Sequence, residues 1–314
     1  MMKVYYFLYA ILGFVISAIG GILVSGIDRK VTARVQMRVG PPILQPLYDV
    51  IKLFIKETTV PVNTVRYVFL GAPLIGLAGV SLASAIILHT IVKPEVAFVG
   101  DIIVLLYLMV MPSLAVIIGA FASHNPIASL GGSREMKLVM AYELPFVLSC
   151  AVAIINAGIY HDGNFAEALK LGTILQAPPA IMKLSGIIAF IVAVLCAQAK
   201  LGLVPFDIAE AETELAGGAL IEYSGPPLAI FKLTRIMMLF ILPLFIIVLF
   251  CGGISFETAW GVIAGVLKYI GVVVLFVLIR NTAPRVRVDH AVKFFWGPAA
   301  VAGLIAVGLA LSGL

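Results

Sequence analysis

Asp207, Glu210, Glu212, Glu214 and Glu222 stand in one stretch, PFDIAEAETELAGGALIEYSG over 205–225, and make up five of the 16 acidic residues of the chain. Crowded carboxylates repel one another, and where water is scarce they hold shared protons that a nearby change of charge redistributes. The spacing predicts a helix that Pro205 opens, with Asp207 facing the positive end of its dipole. On that helix Asp207, Glu210 and Glu214 share a face and Glu212 points elsewhere. Gly217 and Gly218 would weaken it, and Gly225, Pro226 and Pro227 would end it. The same residues also read as a solvated acidic surface or a dock for another protein. Glu143 in YELPF favours the functional reading, because it lies inside or at the mouth of an apolar span, where an ionisable group is costly. Lys232 and Arg235 follow closely enough in sequence to balance the acids.

The elements that must hold these acids are transmembrane helices. The chain of 314 residues is 62% apolar and 12% charged, with a mean hydropathy of +1.15, far from the composition of a soluble domain. Eight apolar segments approach the spanning length of about 20 residues: 4–26, 67–92, 102–122, 138–158, 182–199, 229–250, 261–279 and 295–313. The first is longer than a signal-peptide core and runs into charge without a small-residue cleavage pattern, so it is expected to stay as a helix. The expected fold is an all-α polytopic membrane bundle of about eight helices, a single integral membrane domain over 1–314. Its longest polar segments, 27–66 and 200–228, are too short to bury cores of their own.

The loops after the first, third, fifth and seventh spans hold most of the 21 Lys and Arg. The positive-inside rule then puts those loops, acidic and basic stretches alike, in the cytoplasm of a cell-membrane protein, with both termini outside. The net charge of +5 thus reports topology, and no nucleic-acid partner is expected. Three cysteines and four histidines are scattered, with no pair spaced to organise a metal. Any electrons would be carried by another chain. No fixed-period repeat or paired interrupted helices appear, which weakens an independent transporter as the reading.

The second unusual stretch is basic. Arg29, Lys30, Arg34 and Arg38 precede the turn signals GPP and QP, and the amphipathic run LYDVIKLFIKE predicts a short helix that closes the loop. This segment reads equally as an anchor on anionic headgroups and as a shaped dock for a cytoplasmic subunit. His89 and His124 read as interfacial or helix-ending residues, Lys268 as snorkelling to the surface, and Trp260 and Trp296 as interface anchors.

The blocks IDRKVTARVQMRVGP with LQPLYDVIKLFIKE, YELPF, PFDIAEAETELAGGALIEYSG and APRVRVDHAVKFFW resemble, in sequence and in order, a known family. It is the NuoH-type membrane subunit of respiratory complex I, subunit 1 of the respiratory-chain NADH dehydrogenase, with its relatives in energy-converting membrane hydrogenases. With the spans between them the blocks cover nearly the whole chain. The resemblance implies a non-catalytic subunit that joins a cytoplasmic redox arm to an ion-pumping membrane arm. Glu143, Asp207, Glu210, Glu212, Glu214 and Glu222 would line the acidic path between them. Arg29, Lys30, Arg34, Arg38, Arg285 and Arg287 would shape the face that docks the iron–sulfur subunit. The implied partners are that subunit, a large hydrogenase-like subunit and antiporter-like membrane subunits. Iron–sulfur clusters are expected in the partners and no cofactor in this chain.

The sequence also departs from the quinone-reducing pattern. The first loop is contracted to GPPILQP, which puts a quinone site in doubt, and Asp28 stands where the family's ERK has its acid, keeping the charge. The chain looks more like the membrane-anchoring subunit of a ferredoxin-linked complex, either a group 4 membrane-bound hydrogenase or a membrane-bound sulfane sulfur reductase, and RNTAPRVRVDH and PFDIAEAE lean toward the latter. A quinone-site subunit of an NADH:quinone oxidoreductase and an independent ion transporter remain the alternatives, and the pumped ion, proton or sodium, is left open.

Overall fold

A computed structural model describes residues 2–161, 163–209, 216–256 and 258–314, with side chains from residue 8 onward. Among the described residues every regular element is a helix: α1 (Met2–Val35), α2 (Gln45–Ile55), α3 (Arg66–Val92), α4 (Asp101–Ala122), α5 (Pro126–Tyr160), α6 (Phe165–Ala168), α7 (Leu171–Gln176), α8 (Leu184–Lys200), α9 (Pro226–Phe250), α10 (Ala259–Thr282), α11 (Val288–Phe294) and α12 (Ala300–Leu311), with a π-helical turn at Phe295–Ala299 between the last two. Among the described residues seven spans are long and apolar enough to cross a bilayer, and α8 is a shorter apolar helix. Together they are the eight segments expected from hydropathy, so the chain is a polytopic helical bundle.

The centre of the bundle is α9. From Ile236 onward it is apolar all round, as a helix must be when neighbours cover every face, and nearly every residue from Ile236 to Phe250 is buried. Around it pack α1, α3, α8 and α10, while α10 keeps most of its surface outward. Close approaches depend on glycine. A Cβ on Gly79 of α3 would fall 2.5 Å from the Met111 side chain, and one on Gly21 of α1 would fall 2.5 Å from the Ile236 carbonyl.

Three local expectations are corrected. The basic segment after the first span is not all loop, since α1 continues to Val35 and carries Asp28, Arg29, Lys30 and Arg34 on helical turns. Pro205 opens no helix over 205–209. That stretch is turns, bends and irregular chain, with a cis peptide before Pro205, because its polar groups are met by other elements. Gly225 with Pro226 and Pro227 starts a helix rather than ending one: Gly225 takes a positive φ of 65° and Pro226 is the first residue of α9, the position where a missing N–H costs nothing. The predicted amphipathic helix is present as α2.

Candidate functional site

The PFD loop is fixed from three sides. The Val286 N–H donates to the Pro205 carbonyl at 3.0 Å, the Phe206 ring lies 4.8 Å from that of Phe295, and the Arg285 guanidinium meets Asp207 at 3.2 Å. The π-helical turn presents Phe295, fully buried, to Phe206 and, at 6.4 Å, to Tyr142 of α5. From α9, Arg235 donates to the Leu201 carbonyl at 3.3 Å and to that of Gly202 at 2.6 Å. It thereby caps the end of α8, where carbonyls lack helical partners.

The far end of the acidic stretch is anchored as well. Pro73 of α3 has no N–H to give to the Phe69 carbonyl, and the Tyr223 hydroxyl donates to that carbonyl instead, at 2.9 Å. The Tyr223 ring stacks on Phe69 at 4.0 Å and meets Phe231 edge-on at 4.9 Å. The Ala219 N–H reaches the Ala209 carbonyl at 3.4 Å, so the two flanks of 210–218 close on each other above Gly131. A Cβ on Gly131 would fall 2.4 Å from the Ala219 nitrogen.

Two cavities meet at this loop. The first, about 290 Å³, is lined by Ser113, Glu135, Lys200, Asp207, Lys232 and Arg235, among apolar neighbours. The second, about 450 Å³, lies between α1, α2, α9 and α10 and is bordered by Asp28, Arg29, Asp49, Asp207, Arg280 and Arg285. Asp207, Lys232 and Arg235 line both. In the second cavity Arg280 pairs with Asp28 and Arg29 with Asp49 at 2.6 Å. Burial pushes the Asp49 carboxyl up, but the hydrogen bonds of Arg29 and Gln45 and the charges of Arg29 and Lys232 together hold it below its ordinary value.

Glu143 sits in α5, one residue round from a face that carries the half-buried Glu135 and the buried Tyr142, Phe146 and Cys150 at helical spacing. Its other side borders the exposed Met140, Leu144 and Val147. Its partner is Lys200, whose Nζ lies 3.2 Å from Oε2.

Of the six acids read from sequence, Asp207 lines both cavities and Glu143 joins the first through Lys200. Glu222 borders neither: it accepts from Asn125 Nδ2 at the start of α5. Glu210, Glu212 and Glu214 lie outside the described residues. Of the six basic residues, Arg29 and Arg285 are bound to Asp49 and Asp207 within the chain, while Lys30, Arg34, Arg38 and Arg287 are exposed. Sequence reasoning missed Lys200, Glu135, Asp49 and Arg280. Lys200 carried one signal, its place five residues before the PFD proline; Glu135 looked like part of a charged loop, SREMK, but lies within the third turn of a long helix. Lys268 donates to the Cys251 carbonyl at 2.7 Å rather than only reaching for the surface.

Known proteins resemble this chain along nearly its whole length. Residues 8–311 match the family described as NADH dehydrogenase. The subunit designated H in the NADH-quinone oxidoreductase of Syntrophotalea carbinolica is 34% identical over 285 residues, covering 86% of this chain and 84% of that one. Its counterpart in Anoxybacillus flavithermus is 35% identical over 303 residues, covering 92% and 86%. Among solved structures, a chain of the membrane-bound sulfane sulfur reductase, an archaeal respiratory membrane complex, superposes with a TM-score of 0.80 at 27% identity, over 97% of this chain and 99% of that one.

Proposed function

The chain belongs to the NADH dehydrogenase family, and from that premise we propose that it is the membrane coupling subunit of a complex I-like respiratory assembly. It carries no catalytic centre of its own and joins a cytoplasmic iron–sulfur arm to an ion-pumping membrane arm. The single observation that carries this reading is that Asp207 lines two cavities at once. On one side it faces the basic, ion-paired cavity under α1 and α2, and on the other the cavity that leads to Glu135 and Lys200.

A charge change beside the second cavity acts on the Arg285–Asp207 pair, and Asp207 passes the change to the first cavity. One pKa unit corresponds to about 1.4 kcal/mol, so a modest rearrangement of the docked arm shifts proton occupancy along the acids. Glu210, Glu212, Glu214 and Glu222 extend the path in this reading. Lys30, Arg34, Arg38 and Arg287 form the docking face, on the cytoplasmic side that the positive-inside rule assigns to them. The partners are an iron–sulfur subunit, a large hydrogenase-like subunit and antiporter-like membrane subunits that move protons or sodium. The likeness to a chain of the sulfane sulfur reductase supports a ferredoxin-linked assembly of that type over a hydrogenase.

One observation favours a second reading, a quinone-site subunit. The second cavity, at about 450 Å³, is in the size range of small-molecule pockets, and the curated relatives above are subunits of NADH-quinone oxidoreductases. Native purification of the tagged chain, with mass spectrometry of its partners and metal analysis, tests the proposal. Recovery with iron–sulfur, large and antiporter-like subunits is the expected result, and nickel marks the hydrogenase type. Quinone reduction by the purified assembly selects the second reading. Recovery as a lone chain that moves ions contradicts both.

A further inference from the structure

Lys200 is buried in a way that membrane anchoring does not explain. A lysine that ends an apolar helix ordinarily extends its ammonium toward water. This one turns inward, and its side chain is 1% exposed. Taking an ammonium out of water is expensive unless its charge and all its donors are matched, yet the match here is incomplete. Nζ is 3.2 Å from Glu143 Oε2, while its hydrogen bond runs to Oε1 at 3.5 Å. Oε2 is buried and, among the described residues, accepts no aligned hydrogen bond. Among the described residues the ammonium also lies over the rings of Phe146 at 4.7 Å and Tyr142 at 5.7 Å.

A pair built to hold two helices together would be short and fully hydrogen-bonded. This pair is longer and leaves acceptor capacity unused among the described residues, so its charged form is stabilised less and burial brings the neutral amine and carboxyl pair closer to it in energy. The two partners also face different spaces. Lys200 lines the first cavity together with Glu135, Asp207, Lys232 and Arg235. Glu143 stands at the edge of the outward stripe formed by Met140, Leu144 and Val147 on α5. The other titratable groups around Lys200 are Tyr142 and Cys150 on α5 and Cys196 on α8.

We propose that Lys200 is a proton-carrying group that connects the first cavity to Glu143, an inference that rests on the acids forming the coupling path. The ammonium gives one proton to the Glu143 carboxylate, which leaves a neutral amine and a neutral carboxyl group. Glu143 then passes that proton to an ionisable group of the membrane subunit that covers the outward face of α5 in the proposed assembly, and the amine takes another from an acid or water of the cavity. No other bond is made or broken.

The test is made in the native complex, reconstituted in liposomes, by measuring ions translocated per electron and the infrared difference spectrum on reduction. Lys200→Arg keeps a cation beside Glu143 but does not release its proton, because an arginine stays charged at every accessible pH. It is expected to abolish translocation and to remove the Glu143 carboxyl band from the difference spectrum. Lys200→Gln keeps Glu143 while removing the proton-carrying amine, and is expected to be uncoupled as well. Should the arginine variant fail to assemble, Lys200→Gln decides alone. Wild-type translocation by either variant overturns the proposal, since Lys200 would then only neutralise Glu143. Asp207→Asn separates the two levels: if it pumps normally, the acid path itself fails, whereas a stalled Asp207→Asn beside a pumping Lys200→Arg counts against Lys200 alone.

Discussion

Tyr223 shows how one side chain repairs a defect that the sequence introduces elsewhere. Pro73 deprives the Phe69 carbonyl of its helical donor, and the Tyr223 hydroxyl supplies the missing bond across 154 residues of chain. Gly119 makes room for it, since a Cβ there would fall 2.3 Å from the hydroxyl oxygen. Tyr223→Phe leaves a buried carbonyl unpaired, and the expected loss is about 1–3 kcal/mol, read as a lowered unfolding temperature of the assembled complex. Because the same residue anchors the end of the acidic stretch, translocation in that variant is expected to fall more than electron transfer does. At this scale the sequence was partly readable. The acids announced themselves by their number in an apolar chain, but a lysine at the end of a span looks like an anchor, and only its burial against Glu143 shows otherwise. The Arg280–Asp28 pair, 252 residues apart, had no local signal.

The helices set where the proposed path can run. The seven spans and the shorter apolar helix α8 were legible because each is an apolar run, and a bilayer admits few other solutions. The extension of α1 to Val35 was not legible, because hydropathy stops where charge begins while helical hydrogen bonding continues. The irregular 205–209 segment was misread for a related reason: local spacing favoured a helix, and contacts from Val286, Phe295 and Arg285 overrode it. Gly131 lets the closed flanks of the acidic stretch rest on α5. Gly131→Ala is therefore expected to displace Ala219 and Ala209 and to reduce coupling in a complex that still assembles. Gly71→Ala, whose added methyl meets nothing within 4 Å in this chain, is expected to leave coupling unchanged, and translocation per electron compares the two. The link between α1 and α2 depends on pH. The folded Asp49 carboxyl titrates below its ordinary value of 3.8, so the stabilisation from its pairing with Arg29 is complete above that value and is lost as pH falls through the lower folded one. Hydrogen exchange of the α2 amides, corrected for intrinsic rates, is expected to speed up on acidification below 3.8, and Asp49→Asn to remove that dependence.

Across the whole molecule, two cavities share one carboxylate. The cavity under α1 and α2 is framed by ion pairs, Arg280 with Asp28 and Arg29 with Asp49, and the other leads through Lys200 to an acid at the outward face of α5. Family membership was legible from four sequence blocks in order, whereas the junction between the cavities was not, since it is made by residues from α8, α9 and the loops before α9 and α11. The most direct measurement is ion translocation per electron by the native complex carrying Asp207→Asn. The amide still accepts from Arg285, so the loop is kept while the titrating group is lost. Electron transfer that continues with translocation lost or sharply reduced is the predicted result; translocation at the wild-type ratio would contradict a coupling path through this residue.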